Sequence, residues 1–269
     1  MPSLPAAAHA TPRAASRASS YWALSRAPRY SLLFALPLLV LYEGLAAALG
    51  DLAGVAVRNG ADVWLKTPFV LLFGPRGPVV FGALVVGASV ALVWRDVRRA
   101  RDGVRGGVLA RMLGESVVMA GVCAVLVGMA TAQLLRVLPH ALVAAPRPAV
   151  AAPGGVAGLS APAQLMVALG AGLYEELLFR VVLVGLLRWA ARRGAGLGPA
   201  AANLVAVVAG AVLFSAAHYV GALGDPFTVE SFTFRAVAGL FFSALFVLRG
   251  FGIAAWTHAL YDVGVLALT

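Results

Sequence analysis

Six ionisable side chains stand inside stretches that are otherwise apolar: Glu175, Glu176 and Arg180 in one, His218 in a second, His258 and Asp262 in a third. Ionisable groups at membrane depth are costly and mark functional sites by default. In Tyr174-Glu175-Glu176-Leu177-Leu178-Phe179-Arg180, an α-helical advance of about 100° per residue puts Glu176 and Arg180 on one face as an i,i+4 pair. Glu175 points about 100° away, towards a different neighbour. Glu176 thus has a counter-ion built into its own helix and Glu175 has none. Taken alone, Glu176 with Arg180 reads as a structural salt bridge that locks two helices. Glu175 does not, and its setting suits a general base working near neutral pH.

The other two stretches supply the partners that such a base needs. Phe214-Ser215-Ala216-Ala217-His218 sets an imidazole one helical turn after an aromatic ring, and His258-Ala259-Leu260-Tyr261-Asp262 sets an imidazole one turn before a carboxylate. A single membrane histidine reads as a hydrogen-bonded packing residue. Two Glu, one Arg, two His and one Asp on three helices instead call for a polar cavity within the membrane.

These three patterns, EExxxR at 175–180, FxxxH at 214–218 and HxxxD at 258–262, resemble the CAAX-prenyl-protease and bacteriocin-processing (CPBP, or Abi) family of glutamate-dependent intramembrane endopeptidases. The resemblance covers about residues 159–268; the preceding residues carry no motif of that family. It implies that Glu175 is the general base and activates a water together with His218. His258 and Asp262 correspond to the oxyanion-side pair. Glu176 and Arg180, with Phe214 in support, would orient the site or the substrate terminus. It also implies a membrane-embedded or lipidated peptide or protein as substrate, with membrane lipids around it, and leaves open prenylated CAAX termini, bacteriocin leaders or C-terminal sorting signals.

Asp262 departs from the pattern, because many members have Asn there. An amide can donate to a developing oxyanion, whereas an ionised carboxylate cannot. Either Asp262 is protonated, or it orients His258 and that ring alone donates, or the site binds a metal. Glu175, His218, His258 and Asp262 could make a zinc set. The absence of an HExxH pattern favours a site without a cofactor.

Other peptidase chemistries find less support. Ser215 lacks a rhomboid-like GxSx setting. Tyr261-Asp262 resembles the YD of intramembrane aspartyl proteases, but its GxGD partner is missing. Cys123, the single cysteine, has no polar company on its helix and excludes an internal disulfide. Two readings from outside catalysis stay open: a proton-coupled transporter, in which Glu43 and Glu115 extend a relay, and an inactive CPBP-like immunity or scaffold protein. The transporter reading lacks the internal repeat common among secondary transporters.

The elements that must hold these groups are membrane helices. The chain has 269 residues, of which 61% are hydrophobic and 12% charged, with a mean hydropathy of +0.91; a soluble globule carries about a quarter charged residues. The expected fold is all-α, a polytopic transmembrane bundle of about seven spans around a polar cavity. Apolar helices are expected near 31–49, 79–94, 113–135, 159–187, 199–220, 232–248 and 253–268, with 50–78 mixed and 69–73 too short to span. Three segments follow: a disordered, basic 1–29, N-terminal helices over 30–158, and a CPBP-like core over 159–269.

The net charge of +10 does not indicate nucleic acid, because the basic residues form short clusters between apolar runs. With the N-terminus inside, fourteen of the 21 Lys and Arg fall in inner segments and five in outer ones. This bias predicts a cytoplasmic N-terminus in a bacterial cytoplasmic membrane. The same topology puts His218 near the outer end of its helix and His258 near the inner end of its own. Bringing them together would need strong tilt, a broken helix or a missed span.

Overall fold

A computed structural model describes residues 20–53, 58–100, 103–138, 158–221 and 224–268. Among the described residues there is no strand. The helices are α1 (Tyr21–Arg26), α2 (Pro28–Ala53), α3 (Gly60–Phe73), α4 (Gly77–Ala100), α5 (Gly106–Val137), α6 (Ala161–Gly170), a π-helical segment (Ala171–Val184), α7 (Gly185–Arg193), α8 (Pro199–Ala217), α9 (Val229–Arg249) and α10 (Phe251–Leu268). Backbone polar groups in hydrocarbon must be satisfied within the segment, so apolar runs of this length fold as helices. Polar caps mark where they begin: the Asn59 side chain accepts from Ala61 N, and that of Thr228 from Ser231 N.

Six helical stretches are long and apolar enough to cross a membrane, and large apolar side chains face outward along them, among them Val79, Val118 and Leu204. The protein is an integral membrane protein with an all-α, polytopic bundle. The seventh span expected from the sequence is the glutamate-bearing one. There the backbone stays helical from Ala161 to Arg193, with a π-helical middle of 14 residues between α-helical pieces of 10 and 9.

Two expectations are corrected. Residues 50–78 are not a mixed connection with one short apolar piece, because Gly60–Phe73 is a capped helix of 14 residues. It doubles back on α4 at Gly74, whose φ of 58° favours glycine, and Phe69 then packs edge-on against Phe81 at 5.3 Å. The disorder expected over 1–29 does not hold for residues 20–29. Residues 1–19 lie outside the described residues, but Ser20 caps α1, and Leu24, Ser25 and Arg29 are buried. Apolar contact supplies the reason: Leu24 and Tyr30 sit in one cluster with Met112, Leu245 and Ile253.

Helix α10 lies at the centre and packs on α2, α5, α6, α9 and the π segment. Contacts cross the boundary between residues 158 and 159 throughout. Trp256 Nε1 donates to Phe34 O at 2.6 Å, Gly252 N to Ser31 Oγ at 2.8 Å, and Arg249 clamps Glu115, whose carboxylate also accepts from Tyr21 Oη. Glu115 is therefore ion-paired with Arg249. The close approach of α10 to the glutamates depends on Gly172, since a Cβ there would stand 2.6 Å from the Ala259 Cβ.

Candidate active site

The π segment, α8 and α10 converge at one point. Wide i→i+5 turns replace the α-helical periodicity expected around the glutamates, a distortion frequent at functional sites. The two carboxylates nevertheless diverge to different partners. Glu176 is fully buried, with Arg180 Nη1 at 3.2 Å and His258 Nδ1 at 2.8 Å from its Oε1. Glu175 faces His218, whose Nε2 is 3.9 Å from Glu175 Oε2, and its Oε1 accepts from Asn59 Nδ2 at 2.9 Å. His258 Nε2 is 3.6 Å from Asp262 Oδ2. His218 sits at the C-cap of α8 and His258 at the eighth position of α10, nearer its middle than its end.

The groups form two layers. Side-chain exposure is 13% for Glu175, 25% for His218 and 29% for Asp262, but only 0% for Glu176, 1% for Arg180 and 6% for His258. The outer layer can be reached by a small molecule such as water; the inner layer supports it. Arg180 has no aligned hydrogen bond at any of its three nitrogens and is held by the Glu176 charge and two ring faces. Its guanidinium lies 4.4 Å from the Phe214 centroid and 5.5 Å from that of Phe242. Such stacking suits arginine, which is weakly hydrated and planar. Phe214 also meets the His218 ring edge-on at 4.9 Å, so the FxxxH pair makes the contact its spacing suggests.

Hydrogen bonds set both imidazoles. His218 Nδ1 is 2.8 Å from Phe214 O, and a carbonyl only accepts, so Nδ1 carries a proton and neutral His218 turns a free lone pair at Nε2 towards Glu175. His258 is oriented chiefly by Glu176 and by Phe242, whose ring stacks on it at 4.3 Å. Asp262, expected to fix that ring, stands further off. Among the described residues no group of three or more His, Cys, Asp or Glu side chains is placed to hold one metal ion.

Two contributors escaped sequence reasoning. Phe242 lies in an apolar run with no motif, and Asn59 lies in a segment read as mixed; its position directly before a helix was the one available signal. Gly170 lets Asn59 come this close, because a Cβ there would stand 2.9 Å from the Asn59 Cβ and 2.5 Å from a Tyr42 ring carbon.

Fold and site together define a polytopic membrane protein with a buried carboxylate and imidazole centre. Residues 157–264 match the family described as Type II CAAX prenyl endopeptidase Rce1-like. This part of the chain carries all three motifs and is similar to that family of CAAX-type prenyl endopeptidases. No curated protein and no solved structure matches the chain.

Proposed function

We propose that the protein is an intramembrane endopeptidase that cleaves near a membrane-embedded or lipidated substrate terminus, using water activated by Glu175 and His218. The observation that carries this reading is the pairing of Glu175 Oε2 with His218 Nε2 across 3.9 Å, with the imidazole tautomer set by Phe214 O. That gap is too long for a direct hydrogen bond, yet one water set to the side can reach both atoms at about 2.8 Å. As the water oxygen bonds to the scissile carbonyl carbon, its proton passes to Glu175. The carbonyl oxygen gains negative charge, which His258 and Asp262 would meet as donors. Collapse of the tetrahedral species breaks the C–N bond, and the proton held by the Glu175–His218 pair goes to the leaving amine.

Asp262 separates this scheme from a zinc mechanism. Asp262→Asn should keep cleavage within a few-fold of wild type, since an amide can donate directly to the oxyanion. At a zinc site the same change replaces an anionic ligand with a weaker one, so metal content and rate would fall together. Elemental analysis of both proteins beside a cleavage assay decides the matter. Stoichiometric zinc in the wild type, lost with activity in the variant, contradicts the proposal.

The arginine distribution supports a cytoplasmic N-terminus in a bacterial cytoplasmic membrane. Cysteines placed at Ser20 and Gly106 should be shielded in intact cells from a membrane-impermeant maleimide and labelled after lysis; the native Cys123 is buried. Labelling of both from outside would reverse the topology.

A further inference from the structure

Asn59 lies in the N-terminal half, outside residues 157–264 that carry the family match, and yet it touches the central carboxylate. Its side chain uses both ends. Oδ1 accepts from Ala61 N at 2.9 Å and caps α3, which leaves Nδ2 to donate to Glu175 Oε1 at 2.9 Å. Glu175 Oε2 is then the oxygen turned to His218.

The anchorage of Asn59 is dense. Its backbone N donates to Tyr42 Oη at 3.3 Å, and Tyr42 Oη donates to Asp62 at 2.8 Å. Asp62, wholly buried one turn into α3, is paired with Arg58 at 3.0 Å and Lys66 at 2.6 Å. The same two cations hold Glu43 of α2 at 3.2 and 2.9 Å, and Glu43 accepts from Tyr174 Oη at 2.6 Å. Tyr174 immediately precedes Glu175. The cluster therefore grips both the amide that donates to Glu175 and the backbone next to Glu175. It assigns Glu43 a role here, as one member of a closed ion-pair network.

The geometry points to Asn59 as a positioning residue for Glu175: it occupies one carboxylate oxygen so that the other faces His218, and the Glu43–Arg58–Asp62–Lys66 network holds it there. This inference rests on the functional reading above. A carboxylate on an apolar helix has two oxygens and a rotatable χ3, so an amide fixed from a neighbouring helix selects one orientation.

Helix capping and positioning can be told apart by substitution. Serine is as good an N-cap as asparagine but too short to reach Glu175. Asn59→Ser should lower kcat roughly 10- to 100-fold on a prenylated CAAX peptide and leave KM within about twofold, the mark of misplaced chemistry rather than lost binding. A capping role alone predicts no change in kcat. Aspartate also caps, but places a second carboxylate against Glu175. Asn59→Asp should therefore lower the thermal unfolding midpoint in detergent by about 3 °C or more. Combining it with Glu175→Gln, whose amide can donate to the new carboxylate, should recover that loss.

Unchanged kcat in Asn59→Ser, in assays where Glu175→Gln is inactive, overturns the inference and leaves the peptidase reading standing. Absence of cleavage by the wild type overturns the reading itself. Even then the unfolding midpoints judge the contact, because strictly additive effects of the two substitutions would show that Asn59 does not set Glu175.

Discussion

Glu175→Gln should reduce peptide cleavage by about 10²- to 10⁴-fold, the range for loss of a general base, while the protein extracts and elutes as the wild type does. Glutamine keeps the size of the side chain and can still accept from Asn59 Nδ2, and it can reach His218 through one water, so the polar cluster survives. It cannot take a proton from water. His218→Ala should cost comparably, because the two groups act on one water and their effects will not add. Near-wild-type turnover by Glu175→Gln would show that the base lies elsewhere, with Asp262 the next carboxylate within the site.

Glu176→Ala is expected to act on stability first. It strands Arg180, buried to 1% exposure and ion-paired among the described residues with Glu176 alone, and it removes the acceptor for His258 Nδ1. Breaking a buried ion pair from one side costs about 3–5 kcal/mol, enough to cut the yield of folded protein sharply. Adding Arg180→Leu removes the stranded charge and should restore much of the loss, since an apolar replacement of a buried pair is close to neutral. Activity should not return with it, because His258 still lacks the partner that orients it. Folding yield and turnover measured on the same preparations separate the two effects. A stable, fully active Glu176→Ala variant would contradict the two-layer description of the site.

The fold class was legible because its signal is long and repeated: a run of about 20 apolar residues has few interpretations. Helix-internal pairs were equally open to reading, since i,i+4 spacing alone brings Glu176 to Arg180, Phe214 to His218 and His258 towards Asp262. What spacing cannot carry is contact between helices. The link from Glu176 to His258 spans 82 residues and that from Asn59 to Glu175 spans 116, and neither leaves a local pattern. The π segment was hidden for another reason: a long apolar run reads as a helix, and its composition does not separate π from α turns. Helix α3 was missed because Asp62, Lys66 and Pro68 interrupt its apolar run. Lys66 is neutralised by Glu43 and Asp62.

The most direct test of the central claim is mass spectrometry of a farnesylated peptide ending in a CAAX sequence, incubated with purified protein in liposomes. The account predicts release of a short C-terminal peptide by one internal cut, by the wild type and not by Glu175→Gln. An intact peptide after incubation with folded wild-type protein, or equal cleavage by both proteins, would contradict it.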